Sequence, residues 1–192
     1  KKLINICAAV ECIHSYSLIH DDLPCMDNDL IRRGKPSTHK KFGEATAVLA
    51  GNSLLTLAFE IITNKNFLLK SKQKNEIVRS LASCSGHTGI AGGQELDLKF
   101  ENKKKKINQI VDMQKKKTGK LFNFCLYAVG VVANKSKKEK KFLSIIGEDI
   151  GLLFQFADDF LDIKGSKELV GKLIKKDKKK GKSTLLNLMG YK

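Results

Sequence analysis

Apolar residues recur at spacings of three and four along most of the chain, and no alternating stretch of useful length interrupts them. The pattern predicts an all-α protein. A first helix is expected from about Leu3 to His20, stopping near Asp22 because Pro24 disfavours helical geometry at Leu23. A second should run from Glu44 to about Asn64, with Val48, Asn52, Leu55, Phe59 and Ile62 as its inner stripe. A third is expected over Gln73 to Ile90, ended by the pair Gly92–Gly93, and a fourth over Ile107 to Ala133. That fourth stripe, Ile110, Gln114, Thr118, Leu121 and Cys125, contains polar members. A fifth, from about Lys138 to Ile163, is strongly apolar yet carries Asp158, Asp159 and Asp162. A basic loop, Lys164 to Lys182, then leads into Leu185 to Met189, which reads as a further helix cut short.

The chain has 192 residues, 42% of them apolar, enough for one helical domain over residues 1–192 with a real core. No repeat of solenoid period is present. The longest nearly unbroken apolar run, Phe124 to Ala133, is half of the ~20 residues a membrane helix needs, so no span is expected. Five scattered cysteines without a CxxC pair read as free thiols in a reducing compartment. The first residue is Lys1 and Leu3 already looks mid-element, which suggests a fragment of a longer chain.

The formal charge is +16, from 36 Lys and Arg against 20 Asp and Glu, but only Arg32, Arg33 and Arg79 are arginines. The lysine runs lack interleaved aromatic residues. Single-strand binders need stacking platforms and duplex readers favour arginine, so the charge reads as solvated faces able to gather small polyanions rather than as a nucleic-acid site.

Two acidic clusters carry the chemistry. Asp21, Asp22, Asp27 and Asp29 lie at the C-terminal end of the first helix, where the helix dipole opposes them unless a cation is present. Asp158 and Asp162 share one face of an apolar helix from successive turns, a costly arrangement without a partner. Hard carboxylate oxygens suit magnesium ions completed by substrate phosphates, and Arg32–Arg33 follow immediately to bind such phosphates. Metal and basic groups around a diphosphate favour its departure from carbon, because they stabilise charge developing on the bridging oxygen. The four histidines show no zinc spacing and read as structural, with His20 placed to orient the first cluster.

The segment from Glu11 to Asp29, ECIHSYSLIHDDLPCMDND, with RRGKP from Arg32, resembles the first aspartate-rich motif of the trans-isoprenyl diphosphate synthases. FQFADDFLD, Phe154 to Asp162, resembles the second. GGQELD from Gly92, KTG from Lys117, GK at Gly171 and GKST from Gly181 resemble the family's intermediate and late motifs. The resemblance implies an all-α, isoprenoid-synthase-type bundle around a central cavity, with the two clusters facing each other. It implies that an allylic diphosphate ionises, that isopentenyl diphosphate attacks, and that a proton is lost to the released diphosphate. Asp21, Asp22, Asp27, Asp158, Asp159 and Asp162 would then serve magnesium, three ions shared with the substrate diphosphate. Arg32 would hold the allylic diphosphate and Arg33 isopentenyl diphosphate. Lys117, Thr118, Gln155, Lys172 and Lys182 would line the allylic side, with Gln94 also at the substrate. Gln94 and Asp97 could instead only cap a helix junction.

Tyr16, five residues before Asp21, should sit ~7.5 Å deeper along the helix. An aromatic residue there, with the Pro-containing insertion, resembles bacterial-type farnesyl diphosphate synthases and implies a cavity floor set for a fifteen-carbon product. A geranylgeranyl diphosphate synthase is the nearest alternative, and a non-catalytic partner subunit a more distant one. A terpene cyclase would not keep the second DDxxD. The likeness also implies a cytoplasmic homodimer. Ala157, Asn28 and Leu30 depart from the family pattern without removing a candidate ligand. The family's early Gly-Gly-Lys-Arg-type segment and its C-terminal helices have no counterpart in the chain.

Overall fold

The structure, a computed structural model, describes residues 2–164, with side chains from Leu3 to Leu161. Among the described residues the chain forms eight α-helices and one short hairpin, in agreement with the all-α expectation. The basic loop, Lys172, Lys182 and the helix expected at Leu185 to Met189 lie outside the described residues, as does the side chain of Asp162.

Helix α1 spans Lys2–Asp21 and buries Ile6, Ala9, Ile13 and Tyr16, one per turn. It packs lengthwise on α3, Glu44–Thr63. The buried face of α3 is Ala47, Gly51, Ala58 and Ile62; of the expected stripe Ile62 is buried and Leu55 and Phe59 pack against the core, whereas Val48 and Asn52 face outward. Small residues win that face because α1 approaches closely: a Cβ on Gly51 would lie 2.1 Å from the His20 ring. By length and composition α1 and α3 could each cross a membrane, which the longest apolar run did not flag, yet both contribute to one core with α4 and α7.

The expected third helix is two. Helix α4, Ser71–Ser85, ends before a tight turn, and α5 covers Ile90–Phe100. Gly92 and Gly93 therefore do not terminate a helix. They lie inside α5, where a Cβ on Gly93 would sit 2.2 Å from the Lys117 backbone nitrogen. Gln94 and Asp97 are likewise internal to α5 and cap nothing.

The expected fourth helix is interrupted. Helix α6, Ile107–Gln114, passes through a π-helical turn, Lys115–Gly119, into α7, Lys120–Val132. Such bulges re-aim side chains within a helix and recur at functional sites. Helix α8, Lys137–Lys164, packs along α7 and the π turn. Gly151 permits this, since its Cβ would come within 2.6 Å of Gly119 Cα.

The motif-rich loop also has structure that sequence periodicity did not show. Ile31–Arg32 (β1) pairs antiparallel with Lys35–Pro36 (β2), and a short α2, Thr38–Phe42, follows. Arg33 and Gly34 make the turn at φ 50° and 75°, the left-handed pair a tight hairpin requires.

Candidate functional site

The last turn of α1 presents Asp21 and Asp22, and the insertion after it folds back onto the helix end. Asp27 N–H donates to the Asp21 carbonyl at 2.8 Å and Asp29 N–H to the Asp22 carbonyl at 3.2 Å, over buried Leu23. Asp22 is 2% exposed and is gripped by Arg32, whose Nε and Nη2 donate to its two oxygens at 2.6 to 3.0 Å. Burial opposes the Arg32 charge, but Asp22, Asp21 and Asp29 together outweigh it and hold the guanidinium above its ordinary pKa.

The hairpin turn sends Arg33 the other way, with Nη2 3.4 Å from His14 Nε2. Burial lowers the His14 pKa, and Arg33 and Arg32 lower it further against the opposing pull of Glu11. From sequence alone His14 reads as structural. Its place seven residues before Asp21, on the helix side facing the hairpin, could have marked it.

The π turn connects the two clusters. Lys117 Nζ donates to Asp97 Oδ2 at 2.8 Å and lies 3.8 Å from Asp21 Oδ2. The next residue, Thr118, donates its hydroxyl to Gln155 Oε1 at 2.8 Å, and Gln155 Nε2 donates to Asp159 Oδ1 at 2.8 Å. Gln114, one turn before Thr118, donates from Nε2 to Asp159 Oδ2 at 3.2 Å. Consecutive residues thus reach the first acidic cluster and the partners of the second. In sequence Asp97 shows as the last residue of the GGQELD motif, whereas Gln114 shows only as a polar member of an otherwise apolar stripe.

Gln94, 9% exposed and adjacent in sequence to Gly93, has no hydrogen-bond partner for either end of its amide among the described residues. An open buried amide is costly, which suits a group that meets a ligand. Tyr16 is buried, donates to the Ser85 carbonyl at 3.4 Å, and meets the His20 ring edge-on at 5.6 Å. Burial and then Asp21 raise its pKa. His20 Nε2 is 3.1 Å from the Val48 carbonyl, so this side chain ties the end of α1 to α3.

Among the described residues no three His, Cys, Asp or Glu side chains converge as a ready metal cage. The aspartates supply hard oxygen donors and already draw the cationic groups of Arg32 and Lys117. That donor set fits magnesium, which takes one or two carboxylates and completes its shell with water and phosphate.

A family model described as polyprenyl synthetase matches residues 1–192. The chain is 44% identical to the farnesyl diphosphate synthase of Bacillus subtilis over 98% of its own length and 65% of that protein's. It is 42% identical to geranylgeranyl pyrophosphate synthase 4 of Arabidopsis thaliana, over 97% of this chain and 50% of the other. Among solved structures, a geranyltransferase of Helicobacter pylori, complexed with magnesium and isoprenyl diphosphate, superposes with a TM-score of 0.91 at 38% identity, covering 99% of this chain and 62% of that one. The chain spans less than two thirds of the length of these relatives.

Proposed function

Because the chain belongs to the polyprenyl synthetase family, we propose that the protein of which it is part condenses isopentenyl diphosphate with dimethylallyl or geranyl diphosphate to give farnesyl diphosphate. The observation that carries this reading is the π turn, where Lys117 and Thr118 reach toward both aspartate clusters at once. Magnesium, three ions shared with the substrate diphosphate, would supply Lewis-acid neutralisation of the leaving group. The carboxylates that would hold it are Asp21 and Asp27 from the first motif and Asp158 and Asp162 from the second. Asp22, already forked by Arg32, acts through that arginine.

Arg32 binds the allylic diphosphate, and Arg33 with His14 binds isopentenyl diphosphate. Lys117, with Lys172 and Lys182 from the later basic motifs, neutralises the departing diphosphate. The allylic C–O bond breaks with its electron pair on the leaving oxygen. The isopentenyl double bond then forms the new C–C bond, and the released diphosphate takes the proton lost from C2. Thr118 donates a hydrogen bond to Gln155, which leaves its oxygen lone pairs able to face the allylic cation. Gln94, with its open amide, meets substrate from α5.

Residues 1–192 form part of one catalytic domain. Leu3, Ile4, Leu49 and Leu57 on α1 and α3 are exposed apolar positions that support a homodimer, and the unpaired thiols among the described residues support a cytoplasmic setting.

The test is incubation of the complete protein with magnesium, isopentenyl diphosphate and dimethylallyl diphosphate, read by mass spectrometry. A fifteen-carbon diphosphate is expected. A twenty-carbon product keeps the chemistry and removes the Tyr16 floor, whereas the absence of any condensation product transfers the weight to a partner-subunit role.

A further inference from the structure

Within the second acidic cluster the two neighbouring aspartates are unlike. Asp158 is half-buried, while Asp159 is 3% exposed and lies under two amides, from Gln155 on its own helix and Gln114 on α6. We propose that Asp159 is a positioning residue rather than a magnesium ligand, and that Gln114, Asp159 and Gln155 together set the direction in which the Thr118 hydroxyl points. The proposal rests on the prenyltransferase reading and assigns a task within it.

The argument is one of donors and acceptors. A carboxylate only accepts, so the end of the Gln155 amide facing Asp159 must be its NH2. The Oε1 end is thereby turned to Thr118, at 2.8 Å. An amide oxygen also only accepts, so the Thr118 hydroxyl must donate to it. The Thr118 proton is therefore held toward α8, and its lone pairs are free to face the allylic carbon, where positive charge develops. Gln114 gives the second Asp159 oxygen its own donor, and at 4% exposure it belongs to the packed interior. A fixed negative charge two hydrogen bonds away thus sets the polarity of a hydroxyl at the reacting carbon.

If Asp159 becomes Asn, the direction is lost. Its own NH2 can face Gln155, the Gln155 amide can turn over and donate to Thr118, and the hydroxyl proton is then free to point at the cation.

The experiment uses the complete protein and two readouts. The first is the magnesium concentration at which inorganic diphosphate raises the melting temperature half-maximally, which needs no turnover. Asp158→Asn should raise that concentration at least ~10-fold, and Asp159→Asn should leave it within about twofold. The second is kcat. Asp159→Asn and Thr118→Val should each lower it by about 10²-fold, the double variant should be no worse than either alone, and Thr118→Ser, which keeps the hydroxyl, should recover most of the rate that Thr118→Val loses. An Asp159→Asn protein that needs as much extra magnesium as Asp158→Asn overturns the proposal, as does additivity of the two kcat losses. Should Asp159→Asn fail to fold, Gln114→Met carries the same test, with kcat lowered and the magnesium requirement unchanged. A wild-type protein without condensation activity would instead overturn the prenyltransferase reading.

Discussion

Replacing Gly93 by Ala tests whether the contact between α5 and the π turn sets the placement of Lys117. The added methyl would lie 2.2 Å from Lys117 N, 2.5 Å from Lys117 Cα and 2.8 Å from the Lys116 carbonyl carbon. Unstrained heavy-atom contact begins near ~3.5 Å, so the two backbones must part by about 1 Å. All three neighbours are main-chain atoms, and no side chain can swing aside to relieve them. The 2.8 Å link from Lys117 to Asp97 crosses the same interface one helical turn further on, so it must lengthen or break. Overpacking of this kind costs about 1–3 kcal/mol, of which about 1 kcal/mol is returned by the better helix propensity of Ala. A 1 Å displacement of a group at a reacting centre costs about 10²-fold in rate. Gly130→Ala is the control, because the close neighbours of its methyl would be flexible side-chain atoms, Lys140 Cγ at 3.0 Å and Leu143 Cδ1 at 3.1 Å, with the Lys140 Cα at an ordinary 3.6 Å. Steady-state kinetics and urea denaturation of both variants provide the assay. Gly93→Ala should lose kcat by about 10²-fold with a modest fall in urea midpoint, and Gly130→Ala should keep both. A Gly93→Ala enzyme with wild-type kcat would refute the reasoning.

Arg32→Lys exchanges a two-pronged grip on Asp22 for a single point charge, and the KM for the allylic diphosphate should rise about 10-fold while the KM for isopentenyl diphosphate holds; equal effects on both would contradict the assignment. The Tyr127 phenol is pushed up to about 12 by burial and by the hydrogen bond and charge of Glu76, so its contribution to stability is complete below its ordinary value near ~10 and is lost as pH rises toward 12. Glu76→Gln should move one phenolate transition to lower pH in an ultraviolet titration, and an unmoved curve would refute the coupling. Glu76 itself is held below the ordinary carboxyl value by the Lys140 hydrogen bond, so the destabilisation by Glu76→Gln should be present at pH 7 and vanish as pH falls through the folded-state value. Tyr16→Ala should lengthen the product by at least one five-carbon unit, while Tyr16→Phe, which loses only the bond to the Ser85 carbonyl, should not; an unchanged product from Tyr16→Ala would remove the floor.

The long helices were legible because their apolar spacing is strong: α3 begins and ends, α1 ends and α8 begins within a residue or two of expectation. The motif residues were legible because aspartates are costly on apolar helices. What stayed hidden depended on contacts between segments distant in sequence. Gly92–Gly93 reads as a stop signal until Lys117 is seen to press on it, and only then is the pair understood as a site of close approach. Asn52 looked like a polar member of a buried stripe because periodicity does not say which side of α3 the neighbour occupies; the His20 ring at Gly51 does. The π turn leaves no mark on a 3.6-residue period, since it adds one residue to an otherwise continuous helix. Gln114 and Asp97 acquire meaning only from Asp159 and Lys117, 45 and 20 residues away.

The central claim is that the aspartates of α1 and α8 act as one site on one diphosphate. The most direct measurement is magnesium-dependent binding of inorganic diphosphate by calorimetry to the complete protein and to Asp21→Asn, Asp158→Asn and the double variant. A shared site predicts that either single change removes most of the binding and that the double change adds little, a coupling of about 1 kcal/mol or more. Losses that simply add would mean two independent sites and would contradict the account.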